Sequence, residues 1–304
     1  MTEVTGPPPW RGVLAVEGLK VHAVGWGGAD GQPPIGREQR RRLLLLHGLG
    51  GTSIHWELAG GRLAERLRAH VTAIDLAGFG RTRAHSEQAS VFANARLVAA
   101  LLERYGRAEL VGNSMGGAVA TIVAGEHPEL VTGLVLVTPV LPQPPWPEPP
   151  LPLMPHNWPA AIPGAGPLLV RAYAETTPDA RVVDDRLRRS FFDLQRVDPE
   201  IRARMIELMR ERRAFAEGPV AYAAAARSMF WYLTDPQGSA RDIARIRCPT
   251  LMIHGQYDRL VPLRLAEAAL RRRPDWSLRV VPGCGHMPQL ELPGAFVAAC
   301  AAAG

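Results

Sequence analysis

The sequence predicts an α/β protein built around a mostly parallel sheet, and three observations support this fold class. Apolar runs such as 42–46 are continuous rather than alternating, which is typical of strands buried on both faces. Segments with helical spacing of apolar residues lie between these runs. The motif Gly112-x-Ser114-x-Gly116 stands between an apolar run and a small-residue segment, which indicates a sharp strand-to-helix turn.

The N-terminal half of the chain alternates between strand and helix patterns. Two short strand-like runs flank Glu17-Gly18 and predict a hairpin, and a loop rich in glycine, proline and polar residues follows at 25–39. Beyond this loop, apolar runs and segments of helical spacing follow one another. We predict strands at 12–16, 19–24, 42–46, 71–74, 108–111 and 131–137, and helices at 53–68, 91–105 and 118–124.

The alternation breaks after the strand at 131–137. Prolines are dense from Pro139 to Pro167, and no sheet strand or long helix can cross such a segment because proline lacks a backbone N–H and fixes φ. Amphipathic spacing then predicts one or more helices over 181–216, with a helical stretch continuing at 220–232. The alternation resumes with strands at 250–253 and 278–281 and helices at 263–272 and 294–302.

This pattern divides the chain into three segments. We predict an N-terminal part of the core at 1–138, a helical cap with a proline-rich entrance at 139–240, and a C-terminal part of the core at 241–304. The proline-rich stretch has a second interpretation, a polyproline segment that binds a partner protein. Its position at the start of the predicted cap favours the interpretation as a cap entrance.

The composition is that of a globular protein, with 47% apolar and 21% charged residues in a chain of 304. The net charge of +6 comes almost entirely from arginine, because Lys20 is the only lysine. Arginines are interleaved with acidic residues over 181–189 instead of forming a basic stripe, so we expect no nucleic-acid partner.

Cysteine usage and the apolar runs bear on cofactors and compartment. Cys248, Cys284 and Cys300 are too few and too widely spaced for a disulfide framework or a metal cluster, so we expect buried thiols and no metal or other cofactor. The run 43–46 is far too short to span a bilayer. The segment 1–10 lacks the basic-then-apolar pattern of a secretion signal, so we expect a cytoplasmic location.

Ser114 is the candidate nucleophile. A sharp turn between a strand and a helix lifts its hydroxyl clear of the sheet and points backbone N–H groups at the start of the helix toward a reacting carbonyl. We expect the flanking glycines to be required, because a Cβ there would clash with the adjacent strand. The alternative interpretation is an inert serine on a glycine-rich turn.

A serine nucleophile needs a base, and the base needs a carboxylate to orient it. Asp258 follows the predicted strand 250–253, and His286 lies in the loop after the predicted strand 278–281. Groups at the carboxyl ends of parallel strands collect at one edge of the sheet, so we expect Ser114, Asp258 and His286 to converge. The structural alternatives are a helix cap for Asp258 and an incidental loop histidine for His286.

A tetrahedral intermediate needs two N–H donors. Met115, directly after the nucleophile, is expected to supply one and Leu49 the other, because the glycines around Leu49 let the backbone approach the substrate. His47 is expected to order this loop by hydrogen bonding rather than to react. Asp75 is expected to belong to a structural turn.

The motifs identified so far, together with two further ones, resemble those of the α/β-hydrolase superfamily. The resemblance covers nearly the whole chain apart from the predicted cap. The motifs are His47-Gly48-x-Gly50, Asp75-x-x-Gly78-x-Gly80, Gly112-Asn113-Ser114-Met115-Gly116-Gly117, His254-Gly255-x-x-Asp258 and Gly285-His286. The resemblance implies an α/β-hydrolase fold with a mostly parallel eight-stranded sheet, helices on both faces, a helical cap in place of 139 to about 238, and a Ser114–Asp258–His286 triad.

Three functions remain open at this stage. The leading hypothesis is a serine hydrolase that cleaves a carboxylic ester of a small or medium apolar molecule through an acyl-enzyme. The second is a carbon–carbon bond (meta-cleavage product) hydrolase, which needs a cation facing the substrate carboxylate, with Arg188, Arg189 and Arg196 as candidates. Met287 stands where those enzymes usually carry an aromatic residue, and this lowers the second hypothesis. The third is a ligand-binding or biosynthetic protein that does not hydrolyse its ligand.

Aromatic residues of the predicted cap at 139–240 and residues beside the motifs are expected to shape a pocket for a small-molecule substrate. The oligomeric state is open between monomer and homodimer. The candidate pocket residues are Asn113, Trp146, Trp158, Phe192, Trp231 and Met287.

Overall fold

A single sheet of eight strands runs through the part of the chain that the computed structural model describes, residues 9–28, 41–142 and 159–302. The strands are β1 (Trp10–Val16), β2 (Leu19–Trp26), β3 (Arg42–Leu46), β4 (His70–Ile74), β5 (Ala108–Asn113), β6 (Val131–Val137), β7 (Thr250–Gly255) and β8 (Ser277–Val281). Their order across the sheet is β1-β2-β4-β3-β5-β6-β7-β8. The pairs β1–β2 and β2–β4 are antiparallel and all other neighbours are parallel, so the predicted mostly parallel sheet is confirmed.

The helices alternate with the strands in the first half of the chain and cluster between β6 and β7. They are α1 (Glu57–Leu67), α2 (Val91–Tyr105), α3 (Met115–Glu126), α4 (Gly166–Thr176), α5 (Asp179–Ser190), α6 (Pro199–Arg212), α7 (Gly218–Thr234), α8 (Pro236–Arg245), α9 (Leu263–Arg272), α10 (Pro288–Glu291) and α11 (Pro293–Ala301). Short 3₁₀ helices lie at Ser53–Trp56, Ser86–Gln88 and Leu194–Arg196.

Strand β3 shows why a continuous apolar run becomes a central strand. It pairs with β4 on one side and β5 on the other. Successive side chains of a strand point to opposite faces. Leu44 and Leu46 therefore enter one hydrophobic core, with α2 and α3, while Leu43 and Leu45 enter the other, with α1 and α11. Helices thus cover both faces of the sheet, as expected.

Three of the helices bounded above, α4, α8 and α10, lie outside the predicted helical segments. Each carries proline in its first turn. A helix tolerates proline in its first turn because that N–H has no helical acceptor. Tertiary packing supports α8, which lies against α3 so closely that a Cβ on Gly125 would sit 2.5 Å from the Asp242 carbonyl oxygen.

Helices α4 to α7 stand between β6 and β7, and we call residues 159–234 the insertion. Leu187 of α5 and Ile201 of α6 pack in a hydrophobic cluster that also contains Ile54 and Met287 from outside the insertion. This shared cluster holds the insertion over the edge of the sheet where the parallel strands end. The predicted segment boundary at 240 falls inside α8 (Pro236–Arg245).

Within the described ranges, no helix is both long and apolar enough to cross a membrane. In the same ranges, no group of three or more His, Cys, Asp and Glu side chains is arranged to hold a metal ion. Cys248, Cys284 and Cys300 are free thiols, and burial raises the pKa of each of them.

Candidate active site

Ser114 occupies the turn between β5 and α3 in a conformation that few non-glycine residues adopt, with φ 55° and ψ −115°. The two flanking glycines make this turn possible. A Cβ on Gly112 would lie 2.3 Å from the Gly116 carbonyl oxygen, and a Cβ on Gly116 would lie 2.3 Å from the Leu46 carbonyl oxygen of β3. Any larger residue at either position would push the strand and the helix apart, so the predicted strand-to-helix turn has the structure that its glycines indicate.

Asp258 and His286 are joined by a hydrogen bond of 2.7 Å between Oδ2 and Nδ1. The other carboxylate oxygen of Asp258 accepts the backbone N–H groups of Leu260 at 2.8 Å and Val261 at 2.9 Å. The carboxylate therefore holds its own turn with one oxygen and the imidazole with the other. An anionic acceptor at Nδ1 favours the tautomer in which Nε2 is free to accept a proton.

Ser114 and His286 line one small pocket of about 90 Å³, and both are buried. The chain outside the insertion contributes Gly48, Leu49, His55, Asn113, Ser114, Leu260, His286 and Met287 to its wall. The insertion contributes Arg186, Arg189, Ser190, Tyr222 and Met229. The structure thus brings the predicted nucleophile and base to one cavity, which the insertion closes from the opposite side.

The loop after β3 approaches the nucleophile closely, since a Cβ on Gly48 would lie 3.0 Å from Ser114 Cβ. His47 holds this loop with both ring nitrogens: Nδ1 donates to the Gly48 carbonyl oxygen at 2.8 Å, and Nε2 accepts the Leu76 N–H at 3.0 Å. These two bonds require a neutral ring, and burial lowers the pKa of His47 to about 4. His47 therefore has the ordering role that the sequence predicted.

Asp75 anchors the neighbouring turns with its two carboxylate oxygens. Oδ1 accepts the Ser53 N–H at 2.6 Å and Oδ2 accepts the Arg81 N–H at 2.8 Å. Burial by itself raises the pKa of Asp75, but the hydrogen bond and charge of His22 and the hydrogen bond from the Ser53 N–H outweigh it and lower the pKa to about 2. Asp75 thus serves the structural turn that the sequence predicted for it.

The predicted oxyanion donors lie beside the nucleophile. Met115 is the first residue of α3, so its N–H has no carbonyl acceptor within the helix. Leu49 lines the pocket next to Gly48. Both N–H groups remain predicted oxyanion donors.

Asn113 and Thr138 hold the backbone of His286. Asn113 Nδ2 lies 3.2 Å from the His286 carbonyl oxygen, 2.8 Å from Thr138 Oγ1 and 3.2 Å from the Val137 carbonyl oxygen. Thr138 Oγ1 donates to the same His286 carbonyl at 2.9 Å. Asn113 lines the pocket, as predicted, but its amide nitrogen is directed toward the histidine loop.

Glu291 ties the histidine loop to the insertion. Its side chain is completely buried, and its carboxylate accepts the N–H groups of Gly285 at 2.7 Å, Asp193 at 2.8 Å and Phe192 at 3.0 Å. The His286 N–H in turn donates to the Ser190 carbonyl oxygen at 2.6 Å. The position of His286 therefore depends on the segment that follows α5.

Replacing Glu291 by alanine is expected to lower the free energy of unfolding by about 3 kcal/mol. The substitution removes the acceptor of three N–H groups, of which that of Gly285 is buried and those of Phe192 and Asp193 are partly buried, and an unsatisfied buried group costs about 1–3 kcal/mol. Urea unfolding followed by circular dichroism measures the change, with Glu103→Ala, an exposed acid on α2, as the matched control expected to stay within about 0.5 kcal/mol of the parent. A Glu291→Ala protein as stable as the control would show that other groups satisfy these donors.

His55 is expected to make the fold sensitive to mild acid. Burial lowers its pKa to about 3, below the ordinary value of 6.5, so the unfolded chain takes up a proton that the folded chain excludes. This stability is complete above pH 6.5 and is lost as the pH falls, by about 2 kcal/mol at pH 5. Asp242 acts in the opposite direction, because burial raises its pKa to about 6, so the histidine contribution must be isolated by a variant.

The measurement is the free energy of unfolding of the parent and of His55→Gln at about pH 7.5 and about pH 5. We expect the parent to lose about 2 kcal/mol more than the variant between these pH values. An identical pH dependence in the two proteins would show that His55 is accessible to protons in the folded state.

The predicted pocket residues separate into three groups. Asn113 and Met287 line the pocket. Phe192 is 40% exposed and stacks on Tyr257 with ring centroids 4.3 Å apart, and Trp231 is 62% exposed on α7. These two aromatic side chains lie outside the described pocket lining because they point away from it toward the surface. Trp146 and Trp158 lie outside the described residues.

Sequence reasoning missed Arg186, His55 and Tyr222 in the pocket wall. Arg186 is one of five cations in the stretch 181–196, and nothing in its spacing separates it from the exposed ones. Its guanidinium donates to the Gly50 carbonyl oxygen, a contact between segments 136 residues apart. The glycine at position 50 is the one sequence feature linked to this contact. The structure explains why a glycine stands there, because its φ is 68° and a Cβ would lie 2.9 Å from the Arg186 guanidinium.

Comparison with known proteins gives a consistent result. The chain is 28% identical over 258 residues to the pimeloyl-[acyl-carrier protein] methyl ester esterase of Nitrosomonas europaea, covering 84% of this chain and 92% of that protein. It is 29% identical over 266 residues to the 2-hydroxy-6-oxo-6-phenylhexa-2,4-dienoate hydrolase of Burkholderia cepacia, covering 85% of each. A thermophilic esterase from Thermogutta terrifontis shares the fold, with a TM-score of 0.67 at 23% identity and 97% coverage of both chains.

The relatives therefore include esterases and a meta-cleavage hydrolase, which supports a hydrolase activity for this chain. The sequence profile of the alpha/beta hydrolase family matches residues 43–299, from β3 to α11, and so includes Ser114, Asp258 and His286. With this match and the eight-stranded sheet, the protein belongs to the alpha/beta hydrolase family.

Proposed function

We propose that this protein is a serine hydrolase that cleaves a carboxylic ester through an acyl-enzyme. The observation that carries the proposal is the arrangement of Ser114 on its strained turn, in one pocket with His286, whose Nδ1 is held by Asp258 at 2.7 Å. A nucleophile, a base and an orienting carboxylate in this order are the requirements of acyl transfer. The esterase relatives support the same reaction class.

In the proposed reaction, Ser114 Oγ attacks the ester carbonyl carbon while His286 Nε2 takes the hydroxyl proton. Asp258 stabilises the imidazolium that forms. The Leu49 and Met115 N–H groups bind the oxyanion of the tetrahedral intermediate. His286 then protonates the leaving alcohol, and a water activated by His286 hydrolyses the acyl-enzyme. No metal or cofactor takes part in this proposal.

We further propose that the insertion acts as the helical cap of the enzyme. Arg186, Ser190, Tyr222 and Met229 complete the pocket wall opposite Ser114 and His286. A substrate enclosed between the two parts is shielded from water, which strengthens the hydrogen bonds made to the developing oxyanion.

A fluorophosphonate probe followed by peptide mapping tests the proposal, since the probe forms a covalent bond only with an activated serine oxygen. We expect Ser114 to be labelled and Ser114→Ala to remain unlabelled. Ser190→Ala removes another buried serine hydroxyl of the same pocket and is expected to keep the label on Ser114. A folded protein whose Ser114 does not react would remove the serine hydrolase proposal.

The second candidate is the carbon–carbon bond hydrolase, and the cationic pocket wall favours it. Arg186 and Arg189 line the pocket, whereas Arg188 pairs with Asp185 and Arg196 binds the Gly283 carbonyl oxygen at 2.6 Å. The dienoate hydrolase relative supports this candidate. Turnover of a coloured dienol-type substrate much faster than that of simple aryl esters would favour it over the esterase.

The third candidate, a protein that binds its ligand without hydrolysis, makes a different prediction. It predicts no turnover of any ester by the parent and the same ligand affinity in Ser114→Ala. A screen of aryl esters of graded acyl length separates this outcome from the two hydrolases.

A further inference from the structure

A second imidazole, that of His254, lies beside the proposed catalytic carboxylate. His254 stands near the end of β7, and its side chain is completely buried. Its Nε2 lies 2.7 Å from the Val261 carbonyl oxygen and 3.6 Å from Asp258 Oδ2. Oδ2 is the oxygen that accepts the hydrogen bond of His286 Nδ1 at 2.7 Å. Asp258 therefore has one imidazole bonded to it and another close by.

The hydrogen bond to Val261 fixes the tautomer of His254. A carbonyl oxygen can only accept, so Nε2 carries the proton and Nδ1 does not. Nδ1 is buried and has no hydrogen-bond partner among the described residues, so a charged ring would leave an N–H there without an acceptor. Burial lowers the pKa of His254, and the charge of His286 acts in the same direction, against the charges of Asp258 and Glu267. His254 is therefore a neutral donor.

The bond from His254 closes a ring around the turn that carries Asp258. The Val261 N–H donates to Asp258 Oδ1 at 2.9 Å, and the Leu260 N–H donates to the same oxygen at 2.8 Å. The carbonyl of Val261 is held in turn by His254 Nε2. His254 thus holds the residue whose N–H fixes the rotation of the carboxylate.

That rotation decides where Oδ2 of Asp258 stands. Because the two backbone donors occupy Oδ1, Oδ2 is the oxygen presented to His286. The 3.6 Å between His254 Nε2 and Oδ2 is too long for a hydrogen bond, so His254 acts on this oxygen through the turn. A misplacement of about 1 Å among catalytic groups can cost about 100-fold in rate.

We propose that His254 is a positioning residue of the active site, which holds Val261 and thereby keeps Asp258 Oδ2 at His286 Nδ1. His254 is absent from the described lining of the Ser114 pocket, so it has no contact with the substrate in this proposal. The inference rests on the proposed hydrolase function. The competing explanation is a buried histidine that stabilises the fold without affecting catalysis.

Two substitutions of His254 test the proposal. Phenylalanine fills the buried space but offers no N–H to the Val261 carbonyl, whereas glutamine carries an amide N–H that can replace Nε2. We expect His254→Phe to lower kcat for an aryl ester by about 10- to 100-fold, with KM within about twofold of the parent. His254→Gln is expected to recover most of this loss. Circular dichroism verifies the fold, and His254→Leu repeats the test if the phenylalanine variant does not fold.

The matched control is Thr82→Val, in a different part of the molecule. Thr82 is buried, and its Oγ1 accepts the N–H of His22 on β2 at 2.9 Å, in the other half of the sheet. Each variant loses one such hydrogen bond, so we expect both to be destabilised in urea unfolding, but only His254→Phe to lose kcat. A kcat of His254→Phe equal to that of the parent would overturn the proposal, and so would an equal loss in Thr82→Val.

The Asp258→Asn background separates positioning from a purely structural role. This substitution already removes the bond from Oδ2 to His286, so a residue that acts only through Asp258 has little left to contribute. We expect the addition of His254→Phe to lower kcat further by less than about threefold. An additional loss as large as that in the parent background would overturn the proposal.

The rate of fluorophosphonate labelling at Ser114 distinguishes this inference from the proposed function. We expect His254→Phe to be labelled more slowly than the parent, by about the factor found for kcat. Equal labelling rates of the two proteins would reject the positioning role and retain the hydrolase. A folded parent that is neither labelled nor able to hydrolyse any ester would reject the hydrolase, and the positioning role with it.

Discussion

Replacing Ser114 by alanine is expected to lower kcat for ester hydrolysis by about 10⁴- to 10⁶-fold. The loss is this large because the variant has no oxygen at position 114 to attack the carbonyl and form the acyl-enzyme. Alanine keeps the Cβ of serine, so the strained turn at φ 55° and its flanking glycines are undisturbed. We therefore expect the folded structure and the thermal midpoint to change little.

The measurement is kcat with an aryl ester, accompanied by circular dichroism to verify the fold. Ser190→Ala is the matched control, since it removes a hydroxyl from the same pocket without removing the proposed nucleophile. Activity of Ser114→Ala within about tenfold of the parent would contradict the mechanism, because residual catalysis by binding alone is far weaker.

Replacing Asp258 by asparagine is expected to lower kcat by about 10⁴-fold, the size of effect seen for the equivalent change in serine proteases. The amide oxygen can still accept the Leu260 and Val261 N–H groups, so the turn is retained. The amide nitrogen then faces His286 Nδ1 where Oδ2 accepted a hydrogen bond at 2.7 Å. A donor at this position favours the tautomer that protonates Nε2, and such a ring cannot take a proton from Ser114.

Kinetics of the single and double variants check this assignment. If Ser114 and Asp258 act as one unit, the Ser114→Ala, Asp258→Asn double variant is expected to be no slower than Ser114→Ala alone. Asp275→Asn, an exposed acid beside β8, is the control and is expected to retain full activity. Equal activity of Asp258→Asn and the parent would assign Asp258 to its turn only.

Much of the candidate site could be predicted from the sequence because its chemistry is tied to local backbone structure. The turn at Ser114 requires a glycine on each side. A Cβ on Gly112 or on Gly116 would lie 2.3 Å from a backbone carbonyl oxygen. Asp258 and His286 follow short apolar runs, and strands of a parallel sheet deliver their ends to one edge. Helix bounds were predicted well where apolar spacing is regular, as in α2 (Val91–Tyr105) and α9 (Leu263–Arg272).

The pocket wall was predicted poorly because aromatic character alone does not indicate which way a side chain points. Phe192 stacks on Tyr257 near the surface, and Trp231 is mostly exposed on α7. The arginines of α5 show the same limit: Arg181 is exposed and Arg186 lines the pocket, although both belong to one charged helix. Only the packing of the insertion against the loop at Gly50 separates them.

The sequence by itself determined the fold class, the sharp strand-to-helix turn at Ser114 and the chain order of the three proposed catalytic residues. These features depend on residue type and on short-range spacing, which the sequence states directly. The tertiary structure decided which cations face the pocket, how Asn113, Thr138 and Glu291 hold the His286 loop, and which aromatic residues are turned away. Most of those outcomes depend on contacts between segments far apart in the chain, such as Glu291 with Asp193 at 2.8 Å, and such contacts leave no periodic trace in the sequence.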